Sequence, residues 1–186
     1  MFDSEGEIPL GNISGLPVFE LPPQPARYTA KLDEFGVSTE WSFRSAAPAR
    51  HTVPDDNCYG RLLGWTGPCA ALPMLYLSYD LGSRQRLDNT LVAGKSVPIG
   101  VRVSPGASNE STPSIAGLKV WTSIDGGNTW KSVRVVSRSG DDGGERWYDL
   151  RDVRGRAGQQ LSIKAEAWDV DGNRIHQVII DQLTFS

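Results

Sequence analysis

Short runs of alternating apolar and polar residues recur along this chain, and they constrain its fold more than any other feature. Every second residue is apolar in residues 97–103 and again in residues 161–168. Residues 28–32 and 39–43 have the same period and are joined around Gly36. A period of two is typical of a half-buried β-strand, whose side chains point alternately to the core and to solvent.

Turn residues separate these runs. The chain has 20 glycines and 12 prolines among 186 residues, which is a high share for a globular protein. The sequence Asp-Gly-Gly-Asn at residues 125–128 is a strong hairpin signal, and a 3.6-residue apolar period is nowhere sustained over three turns. We therefore predict eight or nine strands in an all-β antiparallel sandwich of the immunoglobulin-like or fibronectin-like type.

The N-terminal part of the chain has a different composition. Residues 1–25 contain five prolines and little periodicity, which predicts an extended arm or linker. Residues 26–186 are interpreted as the sandwich, and the alternative is that residues 26–70 are an addition to a core sandwich of residues 71–186. Residues 72–81 are apolar on both parities, which predicts a central strand.

Charge and hydropathy exclude several classes of partner. The formal net charge is −3, so the chain lacks the positive field that would attract nucleic acid or an anionic membrane. Apolar runs stay well below the 18 residues or so that span a bilayer. The first residues lack the basic start and apolar centre of a signal peptide, so we expect either a cytoplasmic protein or an excised part of a secreted one.

Two cysteines, Cys58 and Cys69, flank a segment rich in turn residues. A disulfide that closes so short a loop stabilises a protein by about 3 kcal/mol in the chain-entropy description, and it forms in oxidising compartments. We predict this disulfide. Two free buried thiols are the alternative, and a structural zinc site is disfavoured because no His lies close by in the sequence.

The most specific local motif is an Asp box, Ser-x-Asp-x-Gly-x-Thr-Trp. Its members here are Ser123, Asp125, Gly127, Thr129 and Trp130. An Asp in a tight turn accepts hydrogen bonds from turn amides, glycine permits positive φ, and we expect the Thr and Trp to anchor the outgoing strand in the core. The motif resembles the propeller repeats of sialidases but occurs once, so it indicates a stabilised hairpin and not that activity.

A second acidic pattern lies between the last two predicted strands. Asp169, Asp171 and Asn173 have the spacing with which a calcium loop begins, but Ile180 stands where an EF-hand has its bidentate Glu. An Asx-type turn is the favoured interpretation. The alternative is a weak calcium site completed by Asp181 or a neighbouring loop, and we expect no other cofactor.

Catalytic motifs are missing from the sequence. His51 and His176 are its two histidines, and neither belongs to a recognisable nucleophile–base arrangement. The acidic pairs at residues 55–56 and 141–142 lie in turn-rich segments, where solvated carboxylates are common. We therefore predict that the chain is not an enzyme and assign no catalytic residue.

The six tryptophans of the chain are the feature that favours a ligand-binding surface. Trp65, Trp147 and Trp168 lie in or beside predicted loops, and Trp168 is on the polar parity of its strand. Exposed indole rings stack on sugar rings or on peptide prolines. Packing in the core and corners of the sandwich is the alternative interpretation of these residues.

Five segments, taken together, resemble the C-terminal region of secreted actinobacterial peptidases of the subtilisin family. They are residues 16–22 (LPVFELP), 41–45 (WSFRS), 72–76 (LPMLY), 123–134 (SIDGGNTWKSVR) and 165–173 (AEAWDVDGN). In such enzymes the catalytic domain lies upstream, and its Gly-Thr-Ser-Met motif does not occur in this chain.

The resemblance implies a noncatalytic, extracellular accessory domain. Its partner would be the catalytic domain of the same parent chain or a protein substrate. The alternative from a different functional class is a carbohydrate-binding module whose tryptophans contact a polysaccharide.

Overall fold

The structure is a computed structural model that describes residues 1–3, 6–7, 11–13, 16–18, 21–54, 58, 60–61, 64, 66–82, 90–106, 113–138 and 144–186. Two packed sheets contain nearly all of its regular structure, and every strand pair but one is antiparallel. The prediction of an all-β sandwich is confirmed. Its assignment to the immunoglobulin-like or fibronectin-like type stays a prediction.

Fifteen strands are defined within the described residues. They are β1 (Phe2–Asp3), β2 (Gly6–Glu7), β3 (Gly11–Ile13), β4 (Leu16–Val18), β5 (Ala26–Glu34), β6 (Val37–Ser45), β7 (Leu75–Asp80), β8 (Thr90–Leu91), β9 (Val97–Pro105), β10 (Ile115–Ser123), β11 (Lys131–Ser132), β12 (Arg134–Ser137), β13 (Arg146–Val153), β14 (Gln160–Asp169) and β15 (Arg174–Phe185).

The larger sheet has the order β11-β10-β14-β15-β6-β5-β1-β2, with β8 parallel to the end of β15. Its centre is β15, which pairs with β14 along one edge and with β6 along the other. The hairpin of β5 and β6 is therefore continuous with the strands of the C-terminal half. The predicted division at residue 25 or residue 70 stays a prediction.

The smaller sheet has the order β12-β13-β9-β7. Within the described residues β7 is an edge strand, so the prediction of a central strand at residues 72–81 is wrong. Leu77 and Tyr79 face the core, whereas Tyr76 is exposed. The apolar residues Leu72 and Met74 precede the strand and pack elsewhere, against a second cluster around Tyr28 and Phe43, which is why both parities are apolar.

The main core fills the space between the two sheets. The predicted inward residues of β9, which are Val97, Ile99, Val101 and Val103, are all fully buried. They pack with the inward residues of β10, β13, β14 and β15. Trp41 lies between this core and the second cluster, and its Nε1 donates a hydrogen bond to the carbonyl of Leu75 at 2.8 Å. Burial of this apolar surface is the main force that holds the sheets together.

The chain changes sheets at Val133. β11 pairs with β10 in the larger sheet, whereas β12, which begins at the next residue after Val133, pairs with β13 in the smaller one. Val133 packs against the core, and its amide donates to the carbonyl of Val120 at 2.9 Å. Strands that switch sheets form corners of this kind in β-sandwiches.

Short strands occur within the segment expected to be an extended arm. Phe2 of β1 pairs with Thr29 of β5, whereas β3 and β4 pair only with each other among the described residues. No helix in the described part of the chain is long and apolar enough to span a membrane.

Candidate functional site

Cys58 and Cys69 form a disulfide with a Cα–Cα distance of 5.7 Å. The prediction of a bridge is confirmed, and the alternative of two free thiols is wrong. Cys58 is buried, and two hydrogen bonds hold the backbone of Cys69: its carbonyl accepts from the amide of Thr52, and its amide donates to Nδ1 of His51. The bridge thus links two points of the chain that are 11 residues apart in the sequence.

The Asp box closes the hairpin between β10 and β11. Oδ1 of Asp125 accepts hydrogen bonds from the hydroxyl of Ser123 at 2.6 Å and from the amide of Thr129 at 2.9 Å. Oδ2 accepts from the Thr129 hydroxyl at 2.6 Å. Gly126 and Gly127 both have positive φ, as the glycines of the motif were expected to have.

These hydrogen bonds favour the ionised form of Asp125. They lower the pKa of its carboxyl group from 3.8 to about 2, and the bond from Ser123 makes the largest contribution, followed by the bonds from Thr129. The expectation that Thr129 and Trp130 anchor the strand in the core is wrong. Thr129 is exposed because its hydroxyl serves the turn, and Trp130 packs beside Gly127 at the surface.

The Asp169 carboxylate is buried, and its own hydrogen bonds close the turn between β14 and β15. Oδ1 accepts from the amides of Asp171 and Asn173, at 3.0 and 2.8 Å, and Oδ2 accepts from Nδ2 of Asn173 at 2.8 Å. Oδ1 of Asn173 in turn accepts from the amide of Arg44 on β6. This is the geometry of the Asx-type turn, and both Asp169 oxygens are occupied by bonds to the chain.

The tryptophans predicted as one ligand surface are not brought together. Trp147 lies on the outer face of β13 in the smaller sheet, next to the buried Tyr148, and Trp168 lies on the outer face of β14 in the larger sheet. The two rings are therefore on opposite sides of the molecule. Trp65 lies outside the described residues.

Lysines cover the tryptophans of the larger sheet. Nζ of Lys119 lies 5.5 Å from the ring centre of Trp168, whose other neighbour is the backbone of Gly117. Nζ of Lys164 lies between two rings, 5.2 Å from Trp121 and 4.7 Å from Trp130. Cation–π contacts of this kind stabilise exposed sites by about 0.5–1 kcal/mol each. A sugar that stacked on these rings would have to displace the lysines.

The smaller sheet has an equivalent arrangement built from arginines. The guanidinium carbons of Arg102 and Arg138 lie 5.6 and 5.3 Å from the Trp147 ring centre. Asp149 accepts from Nε of Arg138 at 2.8 Å and from Arg151 at 3.2 Å, which fixes the first arginine over the ring. Both outer faces therefore use their tryptophans as packing partners for cations.

A more exposed aromatic residue, Phe35, was missed by the sequence analysis. It is 93% exposed, and the other large apolar side chains that are exposed in the described chain reach at most 65%. Phe35 and Gly36 form the two-residue turn between β5 and β6, and their φ angles are +49° and +78°. Positive φ at both positions is the type I′ geometry, in which Asn, Asp and Gly are favoured and Phe is disfavoured.

The turn that carries Phe35 is fixed to β15. Nε2 of Gln182 donates to the carbonyls of Phe35 and Ile180, at 3.3 and 3.1 Å. The amide of Ile180 donates to the carbonyl of Gly36 at 2.9 Å. These contacts hold the disfavoured backbone conformation in place, so the aromatic ring projects from a rigid support.

A shallow, open groove of about 380 Å³ lies at the base of the turn. Its apolar lining comes from Phe35, Val37, Val178 and Ile180, and we call these four residues with the space between them the hairpin-end groove. Ile180 also approaches Gly127, beside which Trp130 packs. The groove therefore borders the Asp-box hairpin on the outer face of the larger sheet.

The rim of the hairpin-end groove is acidic. Asp33 and Glu34 line it, both are exposed, and neither has an ion-pair partner among the described residues. Lys31 pairs with Glu40 at 2.9 Å, and Lys164 lies against two tryptophans. The hydrogen bond and charge of Glu40, together with the charge of Asp33, raise the pKa of Lys31. The groove thus combines an apolar floor with an acidic rim, where Lys31 offsets only part of the negative charge.

The two histidines lie in different parts of the fold. His51 accepts a hydrogen bond from the Cys69 amide, and His176 is exposed in the middle of β15. In the ranges that the structure describes, no three His, Cys, Asp or Glu side chains are grouped as a metal site would require. The acidic pairs at residues 55–56 and 141–142 lie outside those ranges. Neither a scan against protein-family models nor a search of curated proteins finds a match for this chain.

Proposed function

We propose that this chain is a noncatalytic interaction module and that the hairpin-end groove is its binding surface. The observation that carries the proposal is Phe35, a nearly fully exposed aromatic residue in a disfavoured backbone conformation. Strained residues persist where the surrounding structure holds them and are concentrated at functional sites. Aromatic side chains, Phe included, are also enriched in the buried core of protein interfaces.

The module belongs, in this proposal, to a secreted hydrolase of the subtilisin type. The Cys58–Cys69 disulfide is compatible with an oxidising extracellular environment. The segment resemblance supplies the family, and the catalytic domain of the parent chain or a protein substrate is the proposed partner.

Carbohydrate binding is the second candidate function. Trp121, Trp130 and Trp168 lie on one outer face, which favours a platform for polysaccharide. The lysines over these rings weigh against it, because stacking would cost the cation–π contacts before any sugar contact formed.

Two measurements test the proposed function. The open reading frame that contains this sequence should also encode, upstream of residue 1, a subtilisin-family catalytic domain. That domain, produced separately, should bind the chain in isothermal titration calorimetry, and Phe35→Ser should weaken binding at least tenfold. Tyr76→Ser is the matched control, because Tyr76 is an exposed aromatic residue on the other sheet. A frame that encodes no hydrolase, or equal affinity for Phe35→Ser, would refute the proposal.

A further inference from the structure

Resting on this proposed function, we infer that the hairpin-end groove takes a polypeptide segment in which apolar side chains alternate with lysine or arginine. The apolar side chains of the segment contact Phe35, Val178 and Ile180, and its cations face Asp33 and Glu34. The inference names the chemical class of the partner, which the proposed function leaves open.

The shape of the surface around Phe35 favours an apolar partner segment. Phe35 projects beside a groove whose floor is formed by half-buried aliphatic side chains. One partner segment can therefore contact both the projecting aromatic ring and the floor of the groove beside it. Contacts at such an anchor, shielded from water by their neighbours, supply most of the affinity of an interface.

The charge of the groove rim favours a basic partner segment. Asp33 and Glu34 stand at the rim, and neither forms an ion pair among the described residues; Lys31, which also interacts electrostatically with Asp33, pairs with Glu40. A partner with lysine or arginine beside its apolar residues would compensate this charge, whereas an acidic partner would be repelled. Rim charges of this kind act on specificity and on the association rate more than on affinity.

The same charges disfavour a second copy of this chain as the occupant. A projecting ring beside a groove is self-complementary in shape, so two copies could exchange Phe35 side chains around a two-fold axis. Such a dimer would bring both acidic rims together, because an isologous interface places each surface against itself. Like charges brought together across an interface oppose association.

The test is selection of a phage-displayed random peptide library on the immobilised full chain. Enriched peptides are then synthesised and measured by fluorescence polarisation at low and high salt. We expect peptides that mix basic and apolar residues, at least tenfold weaker binding to Phe35→Ser, and unchanged binding to Tyr76→Ser. The double variant Asp33→Asn, Glu34→Gln should bind severalfold more weakly and lose most of the salt dependence.

Three outcomes would overturn the inference. They are enrichment of acidic or uncharged peptides, equal binding by folded Phe35→Ser, and a concentration-dependent dimer in analytical ultracentrifugation that Phe35→Ser abolishes. Thermal melts of each variant establish that it is folded. If the peptide results fail but the upstream catalytic domain still binds through Phe35, the proposed function stands and only this inference is refuted.

Discussion

The side-chain amide of Gln182 donates a hydrogen bond to the backbone carbonyl of Phe35, across 147 positions of sequence. The turn that carries the most exposed aromatic ring of the described chain is thereby hydrogen-bonded to the central strand of the larger sheet. Its position is set by the fold as a whole, and not by the hairpin alone.

Replacing Phe35 by asparagine should stabilise the chain. Asparagine tolerates the positive φ of this turn position, whereas a bulky residue there destabilises the folded state by about 1 kcal/mol or more. We expect the free energy of unfolding in urea to rise by about 1 kcal/mol while peptide binding is lost. Leu32→Asn, on the regular part of the same hairpin, should give no such gain; a gain of equal size there would refute the strain argument.

Acid should weaken the Asp-box hairpin through Asp125. Because its folded pKa of about 2 lies below the ordinary value of 3.8, the ionised carboxylate contributes stability that is fully present above pH 3.8 and is lost as pH falls towards 2. Asp125→Asn should remove this part of the acid dependence in urea titrations between pH 5 and about 2. An Asp125 carboxyl that titrates near 3.8 by NMR would contradict the prediction.

Two glycines should differ in their tolerance of a methyl group. A Cβ at Gly155 would overlap the ring of Phe185, which is fully buried, and a Cβ at Gly117 would overlap the ring of Trp168, which lies at the surface. Gly155→Ala should cost about 1–3 kcal/mol because the core cannot yield. Gly117→Ala should cost less, because Trp168 can swing outward, and its fluorescence should shift to the red. Equal losses in urea unfolding would be inconsistent with this difference.

The Asp169 turn should behave as a hydrogen-bonded turn and not as a calcium site. Asp169→Ala would leave the buried amides of the turn without their acceptor and should cost about 3 kcal/mol, whereas the exposed Asp171→Ala should change stability by less than about 0.5 kcal/mol. Excess chelator should leave the melting temperature unchanged. A fall of several degrees on chelation would instead favour the calcium alternative.

Polysaccharides should give no saturable change in tryptophan fluorescence, since cations already occupy the rings of Trp147 and Trp168. Titrations with cell-wall and plant polysaccharides test this, with Trp65→Ala, Trp147→Ala and Trp168→Ala as comparison variants. A saturable response that one of these variants abolishes would favour the carbohydrate-binding alternative.

Local patterns in the sequence predicted the parts of the fold that local physics determines. The alternation at residues 97–103 identified a strand with one fully buried face, and the Asp-box pattern identified the hairpin at Asp125. The disulfide was predicted because the segment between the two cysteines is short and rich in turns.

Long-range contacts account for what the sequence analysis missed. Nothing near Phe35 in the sequence indicates the hydrogen bonds from residues 180 and 182 that hold its turn. The change of sheet at Val133 depends in the same way on packing against a distant core. The parity pattern indicated that the Trp168 ring points outward, but it did not show that Trp147 and Trp168 lie on opposite faces or that Arg102 and Lys119 of the neighbouring strands contact their rings.

The central position of β15 has a consequence for the order in which the chain can fold. β15 follows β6, β8 and β14 in the chain, and it pairs with all three. Until β15 has left the ribosome, the β5–β6 hairpin and the β10–β14 pair have no strand between them to join. The two parts of the larger sheet therefore cannot join before β15 has been synthesised.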